Sequence, residues 1–148
     1  MAGCGMAQNK NAEQLASYKI LTTDSVYVTP KNLKKNQPVM LVYFSPDCSH
    51  CMHLMHEIKE DMKPFNKVQV VMITWTSYKM IKAFYRDFGL SQYPNFTVGT
   101  EGYSYKVQQY YGIKTTPFVA IYTGKGELVK AFVKQPKIAE LVTAIKKA

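Results

Sequence analysis

The chain has 148 residues, 47% hydrophobic and 20% charged, proportions that fit one compact domain and argue against a disordered tail or a tandem array. At this length folding removes roughly 70% of the extended chain's surface from water, so a core forms without a disulfide or metal staple, and apolar runs such as residues 39–44 fall far short of the ~20 residues a membrane-spanning helix needs. The formal net charge of +9 comes from lysines spread along the chain, with Arg86 the one arginine; guanine readout and stable phosphate clamps lean on arginine, so nucleic acid is not an expected partner.

Residues 1–17 read as a flexible leader, small and polar in their first eleven positions and without usable period. Within it, Ala2-Gly3-Cys4 resembles the end of a bacterial lipobox, in which the cysteine becomes lipidated; an apolar signal segment normally precedes that motif. The folded domain is expected over residues 18–148. It opens with a β-hairpin, residues 18–22 and 26–28, around the turn residues Asp24 and Ser25. Thr29 and Pro30 then start a helical turn over residues 30–35, threonine capping free amides and proline being pre-set for the first helical position.

Residues 39–44 form an unbroken apolar run suited to a strand buried on both faces. After Cys48 the period changes: Met52, Met55, Ile58 and Met62 fall at helical spacing, and Pro64 ends the element. A strand follows over residues 68–75 and a helix over 77–88, with Ile81, Phe84, Tyr85 and Phe88 on one side and Gly89 as its stop. A further helical stretch is expected from Tyr103 to Gly112. Residues 117–122 and 128–133 flank Thr123-Gly124-Lys125-Gly126, a hairpin signature. Pro136 leads into a last helix striped by Ile138, Leu141, Val142 and Ile145. The order predicts an α/β sandwich around a mixed sheet.

Chemistry concentrates in Ser45-Pro46-Asp47-Cys48-Ser49-His50-Cys51, where the buried strand hands over to a helix. Cys48 falls at the helix amino end, and unpaired amides and the helix dipole there favour a thiolate. The two-residue gap lets Cys51 reach back to Cys48 around one turn. Such a dithiol attacks a partner disulfide, forms a mixed disulfide and is released by its second thiol. A cis bond between Thr116 and Pro117 would turn that backbone toward the dithiol, exposing main-chain groups of Thr116 to an extended substrate. Beside a Cys-x-x-Cys, cis is expected over an ordinary trans proline at an edge strand.

Together, the Cys-Ser-His-Cys motif after a buried strand, Thr115-Thr116-Pro117 opening a later strand, and the glycine-turned hairpin beyond it resemble the thioredoxin-like proteins. The leading hairpin and the extra helical segment before Pro117 look like the extracytoplasmic TlpA-type branch. The resemblance implies a thioredoxin-like fold, a central mixed β-sheet with helices on both faces, and thiol-disulfide oxidoreductase activity. By it, Cys48 is the attacking thiol, Cys51 the resolving thiol and Pro117 a cis-proline facing them, with Thr116 and Pro117 binding substrate. His50, between the cysteines, resembles the DsbA-type dipeptide and with Ser49 would tune the thiol; a solvent-facing loop histidine of mild effect is the alternative. Two positions depart from the pattern. Thioredoxins bury an acid where this chain has Val42, and the TlpA-type branch often has a glutamate where it has Leu54, leaving Glu57 and His56 as candidates for proton transfer. Trp75 either faces substrate or packs in the core.

This reading needs no dissociable cofactor, because the two sulfurs hold the redox equivalents. Expected partners are protein disulfide or dithiol substrates and a redox partner protein, met by a monomer on the extracytoplasmic, periplasmic side, with a membrane tether through lipidated Cys4. Direction of electron flow depends on reduction potential. A second class of function competes: His50, His53 and His56 recur every third residue beside the two cysteines, a set whose chemistry suits zinc or Cu(I) in a binding or chaperone module. Residues three apart drift round a helix, so at least one of these rings should point away from the cysteines.

Overall fold

The computed structural model describes residues 12–148, so the lipobox-like Ala2-Gly3-Cys4 lies outside the described residues. A leading hairpin is formed by β1 (Ile20–Thr22) and β2 (Tyr27–Val28), and one 3-10 turn, Pro30–Asn32, follows it. The chain continues as β3 (Val39–Tyr43), α1 (Ser49–Glu60), β4 (Gln69–Thr74), α2 (Tyr78–Asp87), β5 (Phe96–Thr100), α3 (Lys106–Tyr111), β6 (Phe118–Tyr122), β7 (Leu128–Phe132) and α4 (Ile138–Lys146). The seven strands make one mixed sheet in the order β2-β1-β5-β4-β3-β6-β7. The strands β3, β4 and β5 run parallel, and β1 and β6 close on them antiparallel.

Alternation along the strands divides the core. Met40 and Val42 on β3, Val70 and Met72 on β4 and Val119 and Ile121 on β6 face α1, α2 and α4. Leu41, Tyr43, Val71, Ile73 and Ala120 point the other way, toward Val107 and Tyr111 of α3 and toward Ala12 and Ala16. Strand β3 is buried along its whole length because it is covered on both faces and flanked by strands on both edges, as its apolar run predicts.

Four sequence expectations change. The packed unit begins before Tyr18: Ala12 and Ala16 are buried, and the Tyr122 hydroxyl donates to the Ala12 carbonyl at 2.6 Å while the Ala16 amide donates to the Tyr111 hydroxyl at 3.1 Å. Residues 12–17 thus belong to the domain rather than to a leader. The active-site helix stops at Glu60, four residues ahead of Pro64: Asp61 turns extended at φ −148°, ψ 94°, and Pro64 sits inside a separate 3-10 turn, Lys63–Phe65. The stretch after Tyr103 splits, with Tyr105 left-handed at φ 51° between a 3-10 turn and α3. Glu101 reaches across that break, its carboxylate accepting from the amide of Val107 at 2.8 Å and from the Tyr43 hydroxyl at 2.7 Å.

The fourth change is β5, absent from the sequence reading although it pairs with β4 from Val70↔Phe96 to Thr74↔Thr100. Gly99 breaks its β-favouring run, and glycine inside a strand marks close backbone approach. A Cβ at Gly99 would lie 2.8 Å from Ile20 Cδ1 and 2.9 Å from Ile20 Cβ, so no side chain fits while β1 pairs there. Gly99→Val is expected to overpack this seam and destabilise the fold by about 1–3 kcal/mol. A thermal melt checks this; a transition unchanged from the parent protein would show that β1 is not held against β5 as described.

Candidate redox site

The carboxyl end of β3 delivers the chain into a tight loop, closed by the Cys48 amide donating to the Ser45 carbonyl at 3.0 Å. Cys48 is the N-cap of α1, with extended backbone (φ −85°, ψ 119°), and its Sγ accepts the Cys51 amide at 3.3 Å. A sulfur thus occupies the position usually held by a serine or aspartate oxygen, and it receives one of the helix's free amides. Cys51, on the first turn, is buried; both cysteines are free thiols, and the pair is 2.8 Å apart. The Cys48 thiol donates to the Thr116 carbonyl at 3.5 Å. The Thr116–Pro117 peptide bond is cis.

The two sulfurs sit in different electrostatic surroundings. Burial on its own raises the Cys48 thiol, but hydrogen bonds from the side chains of Cys51 and Thr116 and from the backbone amides of Cys51 and His50 outweigh it and leave the thiol below its ordinary value. Cys51 moves the opposite way, pushed up to about 12 by burial and by the bond it donates to Cys48. Of the two, the outer sulfur is therefore the one that ionises first, and the inner one keeps its proton to higher pH. That is the order an exposed nucleophile and a reserve thiol require.

Beneath Cys51 lies a small apolar pocket lined by Val42, Phe44, Leu54, Val70, Met72 and Pro117, among others. Its free space of about 10 Å³ is at the lower limit for one water, and the walls offer almost no polar partner. No acid lines this pocket among the described residues. The proton-transfer candidates turn elsewhere. His56 is exposed and packs edge-to-face on Phe88 at 4.9 Å. Glu57 lies 3.6 Å from His53 Nδ1 and accepts from the Gln135 side chain at 3.5 Å. Helical spacing explains both, since positions five and six beyond Cys51 turn away from the sulfur.

Ser49 and His50 are exposed at the start of α1. His50 Nδ1 meets Gln135 Oε1 at 3.1 Å, and His53 Nδ1 meets the same residue's Nε2 at 2.8 Å. Gln135, on the β7 to α4 connection, carried no sequence signal; only folding brings it to residues 85 and 82 positions away. The three histidines do not converge on the cysteines. Among the described residues no three His, Cys, Asp or Glu side chains gather as a metal cage, so the ligand set of the metal-binding alternative is not assembled. Trp75 is half-buried and stacks on Tyr43, with centroids 5.9 Å apart and planes at 18°. Its other side borders a surface groove of about 620 Å³ shared with Tyr27, Tyr78 and Tyr103, so the ring serves the core and also meets solvent.

Among solved structures, the fold is similar to a secreted Mycobacterium tuberculosis disulfide oxidoreductase homologous to Escherichia coli DsbE, at 14% identity and TM-score 0.73, covering 95% of this chain and 99% of that one. It is also similar to an exposed lipoprotein thioredoxin of Streptococcus pneumoniae (21%, TM-score 0.66, 90% and 100%) and to a thiol peroxidase of Chromobacterium violaceum (12%, TM-score 0.75, 92% and 85%). No curated protein matches the chain in sequence. The thioredoxin-like domain family matches residues 29–148, from the turn after the leading hairpin to the last residue, and with the seven-stranded sheet this shows the chain to be a member of the thioredoxin-like domain family.

Proposed function

We propose that the protein is a thiol-disulfide oxidoreductase that exchanges disulfides with protein substrates through Cys48 and Cys51. One observation carries the reading: Cys48 caps the active-site helix with its sulfur accepting the Cys51 amide, and the buried Cys51 lies 2.8 Å away as its partner. Cys48 thiolate attacks one sulfur of a substrate disulfide, the S–S bond breaks, and the other sulfur leaves as a thiolate. Cys51 gives its proton to that departing thiolate, the nearest base in a site whose inner pocket is apolar. The Cys51 thiolate then attacks the Cys48 sulfur and expels the second substrate thiolate. The substrate gains two electrons and the protein carries a Cys48–Cys51 disulfide; run in reverse, the same steps oxidise a substrate dithiol.

In this account Thr116 and Pro117 hold an extended substrate segment by main-chain pairing, and His50 and Ser49 tune the outer thiol. No dissociable cofactor takes part. The reading assigns the chain to the TlpA-type branch and to the extracytoplasmic side, with Cys4 as a lipid tether. Similar folds described as secreted and as an exposed lipoprotein support that side. No helix among the described residues is long and apolar enough to cross a membrane.

Reduced protein mixed with a disulfide-bonded test protein such as insulin should lose its Cys48 and Cys51 thiols as the substrate gains an equal number. Mass spectrometry of alkylated products reads both sides. Substrate thiols appearing with no loss from the Cys48 and Cys51 pair would overturn the proposal.

A further inference from the structure

A second surface lies at the same end of the sheet as the dithiol. Strands β3, β4 and β5 run parallel, so the segments that follow their carboxyl ends, carrying Cys48, Trp75 and Glu101, emerge side by side. Open α/β sheets hold ligands outside such ends. Past Trp75 the surface sinks into the groove of about 620 Å³, which runs on to β1 and β2. Two of its walls are fixed: Trp75 is stacked on Tyr43, and the Tyr78 hydroxyl donates to the Thr23 carbonyl at 2.9 Å. Two are free, with Tyr103 and Tyr27 keeping 86% and 61% of their surface exposed. Its cations are Lys106 and Lys19, whose Nζ lies 5.0 Å over the Tyr27 ring. Glu101 is the one acid lining it among the described residues, and it turns one carboxylate oxygen to the Val107 amide and the other to the Tyr43 hydroxyl. Neither lysine forms an ion pair among the described residues.

We propose that this groove is a second subsite for the disulfide-bearing substrate protein, taking an extended segment that carries an aromatic side chain beside an acidic one. The inference rests on the proposed exchange reaction at Cys48. The four rings offer apolar faces to the substrate's aromatic group, while two unpaired ammonium groups attract a carboxylate and reject a basic segment. The reach fits one stretch of polypeptide. From β3 across β4 and β5 to β1 is three strand spacings, about 14 Å, which four or five extended residues cover. A substrate held by Thr116 on one side of Cys48 is thus gripped again on the other, since β6 and β4 flank β3. Walls already held in place by Tyr43 and Thr23 lower the ordering cost of that second contact.

Three peptides test this, each with a single cysteine carried as a mixed disulfide with thionitrobenzoate and with Phe-Glu, Phe-Lys or Gly-Ser placed four and five residues to either side of it. Stopped-flow release of thionitrobenzoate by the reduced protein should saturate at an about tenfold lower concentration of the Phe-Glu peptide than of the other two, with the same plateau rate. Replacing both lysines, Lys19→Glu with Lys106→Glu, should exchange the order of the two charged peptides, an inversion that loss of fold does not produce. In a Cys48→Ser variant, which cannot react, the Phe-Glu peptide should shift the emission of Trp75, the one tryptophan of the chain. Equal half-saturation by all three peptides in the parent protein, or an order unchanged in the double lysine variant, would overturn the inference while leaving disulfide exchange intact. A saturable Trp75 shift in a protein that releases no thionitrobenzoate would instead remove the proposed function and keep the subsite.

Discussion

Replacing Cys48 with serine is expected to abolish disulfide exchange while leaving the thermal transition in place. Serine keeps the N-cap, since its hydroxyl oxygen accepts a helix amide as well as sulfur does, so the fold loses little. The chemistry loses everything, because no other described thiol is exposed enough to meet a substrate. In the parent protein the same asymmetry should appear as a pH profile. Alkylation of Cys48 should reach half its maximum below the midpoint of an unperturbed cysteine peptide, because the side chains of Cys51 and Thr116 and the amides of Cys51 and His50 together outweigh burial. The sign is fixed by which form those donors favour: each stabilises the anion, so thiolate persists to lower pH. Cys51, pushed up to about 12, should stay unlabelled throughout the range in which Cys48 reacts. Equal labelling of both sulfurs at one pH would contradict the charge distribution on which the site rests.

Replacing Cys51 with serine should have the second large effect, and of a different kind. Attack through Cys48 still proceeds, but nothing resolves the mixed disulfide, so a covalent complex accumulates where the parent protein forms a transient one. Non-reducing gels should show a band of summed mass that disappears with reductant, and peptide mapping should put the linkage at Cys48. The serine hydroxyl can donate to Cys48 in place of the Cys51 thiol, so the first attack should proceed at a rate close to that of the parent. A variant that turns over substrate normally would show that Cys51 is not the resolving group.

Much of the site was legible because its signals are local. The Cys48 to Cys51 motif depends on a strand-to-helix junction, and that junction is visible where the apolar run of β3 gives way to helical spacing. Thr116 and Pro117 are likewise adjacent in sequence and lead directly into β6. What escaped was set by packing between distant segments. Strand β5 was hidden by Gly99, whose missing side chain makes room for Ile20. The start of the domain was hidden because Ala12 and Ala16 are small residues with no period, held by hydroxyls of Tyr111 and Tyr122 about a hundred positions away. The proton-transfer candidates failed for a related reason: Glu57 and His56 are near Cys51 in sequence, but the helix turns them toward Gln135 and Phe88. The regular spacing of His50, His53 and His56 suggested a shared ligand, whereas two of those rings share an amide instead.

The most direct test is a glutathione redox titration of a Cys4→Ser variant, following Cys48 and Cys51 by alkylation and mass spectrometry. The variant removes the third cysteine of the chain, so a single pair is read. The account predicts one reversible two-electron couple joining Cys48 to Cys51, with a midpoint inside the span from about −270 mV for a reductant such as thioredoxin to about −120 mV for an oxidant such as DsbA. A pair that forms no intramolecular disulfide at any glutathione ratio would contradict it.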